Sequence, residues 1–196
     1  MTGAGGADVP TGADGSSGPD PLAVEAVGAL RSARLTVATC ESLTAGLVAA
    51  TIATVPGASA VLRGGLITYA TDLKSALAGV EADLLEHRGA VDPDVAVQMA
   101  RGARTACGAS IGLSCTGVAG PEPQDGQPVG TVYLAGADAR SGRAYLMRLE
   151  LGGYQERAII RTRAALYALD LLRRMALDLP PDSGVMLEPG DPVPEL

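Results

Sequence analysis

Two Asp-Pro pairs, Asp20-Pro21 and Asp92-Pro93, constrain this chain more than any other feature, because each opens an amphipathic stretch that runs directly into a short β-prone run. Aspartate at an N-cap accepts the free N–H groups of the first helical turn, and a proline at the next position sacrifices no helical hydrogen bond. After the first pair, Leu22, Val27 and Leu30 share one helical face to about Ala33, and LTVATC at 35–40 follows as a strand. After the second, a helix to about Cys107 is followed by the strand ASIGLSCT. Between them the sequence predicts a helix over 43–54, a strand GGLITYA ending at Tyr69, and a short helix capped by Thr71 that carries Lys74 on its first turn. TVYLAGA and RAYLMRLEL read as two strands joined at Ser141 and Gly142, and 155–177 as a last long amphipathic helix. The expected fold is α/β: a three-layer α/β/α sandwich with a mixed sheet, its last strands antiparallel.

Both ends differ from this core. Residues 1–20 and 178–196 are rich in Gly, Pro and Ser and lack Lys and Arg, which predicts a disordered N-terminal tail and an acidic, Pro-rich disordered C-terminal tail around one domain at 21–177. Their eight acids account for the net charge of −7, since fourteen acids face fifteen bases in the remainder. A nearly neutral core with five Tyr and neither Trp nor Phe argues against nucleic-acid binding. No apolar run reaches the roughly 20 residues of a membrane span and the start lacks a signal-peptide pattern, so a cytoplasmic protein without membrane contact is expected. Cys40, Cys107 and Cys115 have no CxxC spacing and read as small buried hydrophobes, with no metal or cofactor expected. The expected assembly is a homo-oligomer, in the first instance a dimer.

Sites in open α/β sheets gather at the carboxyl ends of strands. Three such ends, Cys40–Thr44, Tyr69–Lys74 and Thr116–Gly120, are rich in hydroxyls or small residues. Ser42 and Thr44 stand where a strand becomes a helix, so each is either an N-cap or part of a site in which Ser42 is the nucleophile and free helix N–H groups hold an anion or oxyanion. The chain uses fourteen Arg but only one Lys, Lys74. Arginine cannot be deprotonated in a protein, whereas a desolvated lysine can supply a neutral amine as base; the alternative is an ordinary surface lysine. Tyr69 either bonds that amine and relays a proton or is a half-buried ring with a wet hydroxyl. Thr116, Gly117 and Gly120 either grip a phosphate or form a turn. Arg157 and Arg161, four apart, suit a phosphate or carboxylate, or are simply solvated. The single histidine, His87, precedes a Gly turn and reads as a helix C-terminal residue, and nothing brings it near Ser42 to form a Ser-His-Asp triad. The nucleotide motifs GxxxxGK[ST] and strand-GxGxxG are absent.

Five ordered blocks, ESLTAG at 41–46, LRGGLITYATDLKSALAGV at 62–80, HRGAVDPDVAVQMARGA at 87–103, TGVAGPEPQDGQPVGTVYLA at 116–135 and ERAIIR at 156–161, resemble the CinA C-terminal domain family. Its standalone members are nicotinamide-nucleotide amidohydrolases, and with 34 residues before the first strand the N-terminal domain of longer members is not expected here. The resemblance implies hydrolysis of the carboxamide of nicotinamide mononucleotide to nicotinic acid mononucleotide and ammonia, without a metal. It maps the family's serine and threonine of ESCTGG onto Ser42 and Thr44, the tyrosine and lysine of YSNxxK onto Tyr69 and Lys74, the hydroxyl residue before GIAGP onto Thr116, and arginines of GDRxxIR onto Arg157 and Arg161. It thereby implies Ser42, Tyr69 and Lys74 as catalytic, and Thr44, Thr116, Gly117, Gly120, Arg157 and Arg161 as substrate-binding. The chain departs from the pattern at Leu43 for cysteine, Ala45 for glycine, Thr71 for asparagine, at PEPQDGQ, which lacks the usual Gly-Gly, and at Gly153, which three residues separate from Arg157 in place of the compact GDR spacing. The competing reading is a non-catalytic nucleotide-binding or regulatory module that keeps the pocket.

Overall fold

The computed structural model describes residues 18–152 and 156–196. Helix α1, Pro21–Ala33, begins as its sequence requires, with the Asp20 carboxylate accepting from the Leu22 N–H. It leads into β1, Val37–Glu41, whose five residues are all buried. Then come α2, Leu47–Ala53, a 3-10 turn at Ala58–Ala60, β2, Leu62–Ile67, and the helices α3, Thr71–Ala78, and α4, Ala82–Arg88. Helix α5, Pro93–Cys107, is capped by Asp92, whose carboxylate accepts from the N–H groups of Asp94 and Val95. Strands β3, Ile111–Gly117, β4, Thr131–Asp138, and β5, Ala144–Glu150, precede α6, Arg157–Ala176, and a short β6, Val185–Leu187.

The sheet order is β2-β1-β3-β4-β5-β6. β1 runs parallel to both β2 and β3, while the pairs from β3 through β6 are antiparallel. The expected mixed sheet is therefore present. Residues of α1, α2 and α6 form one core with one face, among them Leu30, Ile52 and Leu169, and α5 packs the other through Val97, Ala100 and Met99. Burial of both sheet faces explains why β1, β3 and β4 show no alternation of buried and exposed residues.

Three sequence expectations change. The helix read as 43–54 starts at Leu47, so neither Ser42 nor Thr44 is its cap. Ala70, with no side-chain cap bond, occupies the cap position of α3, and Thr71 is the first helical residue. The segment 178–196, read as a disordered tail, instead places Val185–Leu187 on β5, buries Leu187, and packs Val193 and Leu196 against the α5 side. The average composition of that segment hides a three-residue apolar run, and an otherwise open antiparallel edge supplies its hydrogen-bonding partners. The tail expected at 1–20 lies outside the described residues up to Ser17.

Candidate active site

Parallel pairing brings the carboxyl ends of β2, β1 and β3 level. Glu41 faces Ile67 on one side and Cys115 on the other, the Thr68 N–H donates to the Glu41 carbonyl at 2.9 Å, and the Ser42 N–H donates to the Cys115 carbonyl at 2.9 Å. Ser42 is thereby fixed at the end of the sheet, with Thr68 and Tyr69 beside it and Thr116 on the opposite flank.

The turn that follows is built by Glu41. Its buried carboxylate accepts from the N–H groups of Gly46 at 2.9 Å, Val48 at 3.0 Å and Ala49 at 2.9 Å. A strand-end carboxylate therefore caps α2, and the anion site expected at this helix start is already filled by the protein's own charge. The chain turns through Ala45 at φ 51° and Gly46 at φ 93°. Left-handed backbone costs a residue with a Cβ on the order of 1 kcal/mol, so Ala45 holds strain that the glycine of the family pattern would not. Arg161 reaches from α6 to the other side of the turn, its Nε donating to the Leu43 carbonyl at 2.9 Å and its Nη2 to the Thr44 carbonyl at 3.0 Å. Neither Arg161 nor Thr44 is among the residues lining the cleft; Thr44 is buried beneath the turn, and both stand where they hold the turn in shape.

Lys74 is the central finding. It sits on the first turn of α3 with 1 % of its surface exposed, and its Nζ donates to Ser42 Oγ at 3.0 Å and to the Thr68 carbonyl at 2.8 Å. Burial holds its pKa below the ordinary lysine value, with Cys40 and Asp125 pulling the other way. On deprotonation the amine keeps two N–H donors and gains a lone pair, so the contact with Ser42 can reverse and the hydroxyl donate to nitrogen. The neighbouring thiols offer no rival nucleophile: burial pushes Cys40 up to about 11 and Cys115 well above its ordinary value.

The rim is formed by other candidates in different roles from those expected. The Tyr69 hydroxyl, on a residue 55 % exposed, accepts from Nη2 of Arg157 and does not meet the Lys74 amine. Nη1 of Arg157 donates to the Gly120 carbonyl at 2.6 Å. Thr116 spends its donor on the Ala90 carbonyl at 2.7 Å, so it can offer a ligand only an acceptor. Gly117 lies where a Cβ would come within 2.5 Å of the Thr131 carbonyl, so the close approach of β4 requires a glycine at this point of the cleft wall. Ser42, Tyr69, Lys74, Thr116, Gly117, Gly120 and Arg157 line one cleft, joined by Leu43, Ala90, Val91, Glu122 and Gln124 from neighbouring loops. The Leu43 and Thr44 amides donate to no acceptor among the described residues, and Leu43 is at the cleft wall.

Two residues of consequence escaped the sequence reading, Glu41 and Asp125. The strand-end position of Glu41 was a usable signal for the first. For Asp125, whose carboxylate accepts from the Ala90 and Val91 amides, only the DG turn signal was available, because its partners are 34 and 35 residues away. His87 lies in the last turn of α4, as expected, with Nδ1 2.7 Å from the Asp83 carbonyl. Gly153, and with it the altered spacing before Arg157, falls outside the described residues. Among the described residues no group of His, Cys, Asp and Glu is arranged to hold a metal, and no helix is long and apolar enough to cross a membrane.

The geometry thus defines an α/β domain with a buried Ser–Lys pair at the ends of its parallel strands. The model of the CinA C-terminal domain matches residues 19–176, and the chain belongs to that family. A CinA-like protein of Frankia casuarinae is 44 % identical over 191 residues, 96 % of this chain and 41 % of that protein. A CinA-like protein of Geobacter sulfurreducens is 49 % identical over 148 residues, 75 % of this chain and 35 % of that protein. The chain therefore spans about two-fifths or less of the length of these curated relatives. Among solved structures, the competence/damage inducible protein CihA from Agrobacterium tumefaciens is 33 % identical with a TM-score of 0.75, covering 83 % of this chain and 99 % of that one.

Proposed function

We propose that this chain is a nicotinamide-nucleotide amidohydrolase, hydrolysing the carboxamide of nicotinamide mononucleotide to nicotinic acid mononucleotide and ammonia. The observation that carries the reading is the 3.0 Å contact between Lys74 Nζ and Ser42 Oγ at a position where the lysine is 1 % exposed. A lysine without a carboxylate partner in contact is costly to bury as a cation, and this cost favours the neutral form a general base needs. Neutral Lys74 takes the Ser42 proton as the oxygen attacks the carboxamide carbon, giving a tetrahedral oxyanion that the free Leu43 amide is suited to receive. The lysinium then returns that proton to the departing nitrogen, the C–N bond breaks, and ammonia leaves. Water adds to the acyl-enzyme with Lys74 again as base, and expulsion of Ser42 yields the acid. At the rim Arg157 uses two of its five donors within the protein, leaving others for the nucleotide phosphate.

The deciding experiment incubates the purified chain with nicotinamide mononucleotide and measures ammonia and nicotinic acid mononucleotide, which are expected in equal amounts and absent with Ser42→Ala. Nucleotide binding without ammonia release would instead support the non-catalytic module.

A further inference from the structure

We infer that Asp125 is a positioning residue whose carboxylate latches the loop over 118–130 onto the 89–91 segment, holding the outer wall of the cleft in place over Ser42 and Lys74. The inference rests on reading the cleft as an amidase site. Asp125 is at φ 52° and Gly126 at φ 73°, between Gln124 and Gln127, which exchange both backbone hydrogen bonds at 3.1 and 2.8 Å. This two-residue turn projects the Asp125 side chain from the loop tip. Its Oδ2 accepts from the Ala90 N–H at 2.7 Å, the Val91 N–H at 3.2 Å and Gln124 Nε2 at 3.4 Å.

The receiving side is shaped to match. Gly89 has φ 77°, and a Cβ there would lie 2.5 Å from the Asp125 carboxyl carbon, so the carboxylate packs on bare backbone. The carbonyl of Ala90 is taken by Thr116 Oγ1, so the Ala90 residue is gripped through both its N–H and its C=O. The loop base is closed by the Gly130 N–H on the Val118 carbonyl at 2.8 Å, and Arg157 holds Gly120. Ala90 and Val91 on one side of the latch and Glu122 and Gln124 on the other line the same cleft. No helix or strand spans the two segments; Val118 and Val129 pack with Val91 at the loop base, and at the loop tip the charge-assisted pair of bonds from Asp125 makes the connection. The same carboxylate acts on Lys74 as an opposite charge, alongside Cys40.

Hydrogen exchange and kinetics test the latch separately. Asp125→Ala is expected to speed exchange of the Ala90 and Val91 amides about 10- to 100-fold. It should also raise KM for nicotinamide mononucleotide more than it lowers kcat, because the wall moves while the Ser42–Lys74 pair stays. Asp125→Asn keeps an oxygen acceptor and should restore most of the protection. Loss of the negative charge favours the neutral amine, so the Lys74-dependent rise of kcat/KM should move to lower pH. Gly89→Ala, which displaces the carboxylate without removing it, should repeat the exchange and KM effects. Unchanged Ala90 and Val91 exchange in folded Asp125→Ala would overturn the latch even if the wild type releases ammonia. Faster exchange in a chain that releases no ammonia would support the latch and remove the amidase reading instead.

Discussion

The floor and the rim of the cleft use polar groups in opposite ways. On the floor, Glu41, Ser42 and Lys74 are buried, and each spends its hydrogen bonds on other protein groups. At the rim, Arg157 and Tyr69 are exposed to solvent. Burial costs a cation its hydration and so makes the floor lysine available as a base; exposure leaves the rim guanidinium open to an anion from solvent. Had the two residue types been exchanged, the floor would hold a group that cannot lose its proton.

The strongest way to break this division is Ser42→Ala. A folded variant should lose turnover by about 10⁴-fold or more while retaining most nucleotide affinity, measured by ammonia release and by titration calorimetry. Activity near wild type would remove Ser42 as nucleophile. Next in size, Lys74→Arg should lower kcat about 10²- to 10⁴-fold. Because the Lys74 pKa is held below its ordinary value, wild-type kcat/KM should rise with pH through that depressed value as the neutral form fills, and the arginine variant should lack this rise. An unchanged profile in an active arginine variant would show that the floor needs only charge.

At the rim the effects are smaller. Arg157→Ala should raise KM for nicotinamide mononucleotide about 10- to 100-fold while affecting nicotinamide riboside far less, since only the former offers a phosphate. Equal losses would place phosphate recognition elsewhere. The smallest effect concerns the turn beneath the nucleophile: Ala45→Gly should stabilise the fold by about 1 kcal/mol by relieving the left-handed strain, less the entropy glycine adds to the unfolded chain. Urea denaturation would measure it, and a loss of stability would mean that the Ala45 methyl makes compensating contacts.

Much of the scaffold was legible along the chain. Asp20 and Asp92 cap the helices their sequence context assigns them, and the three strand ends carrying Ser42, Tyr69 and Thr116 fall where the apolar runs stop. These readings succeed because helix caps and hydrophobic periods are local, set by residues within one or two turns of each other. The same local signals misplaced the start of α2, since serine and threonine at a strand-helix junction resemble caps whether or not a carboxylate further back takes the N–H groups. They also missed β6, whose three apolar residues acquire meaning only beside the open edge of β5.

By itself the sequence determined the alternation of helices and strands, the strand-end placement of the hydroxyls, and the singularity of Lys74 among fourteen arginines. The tertiary structure decided which groups meet: Lys74 with Ser42 across 32 residues, Asp125 with Ala90 across 35, and Arg157 with Tyr69 across 88. It also decided that Tyr69 faces an arginine rather than the lysine, and that Lys74 is dry. The physical reason is that proton affinity depends on solvent exposure and neighbouring charge, and in this fold both are set by parallel strand pairing between segments far apart in the chain.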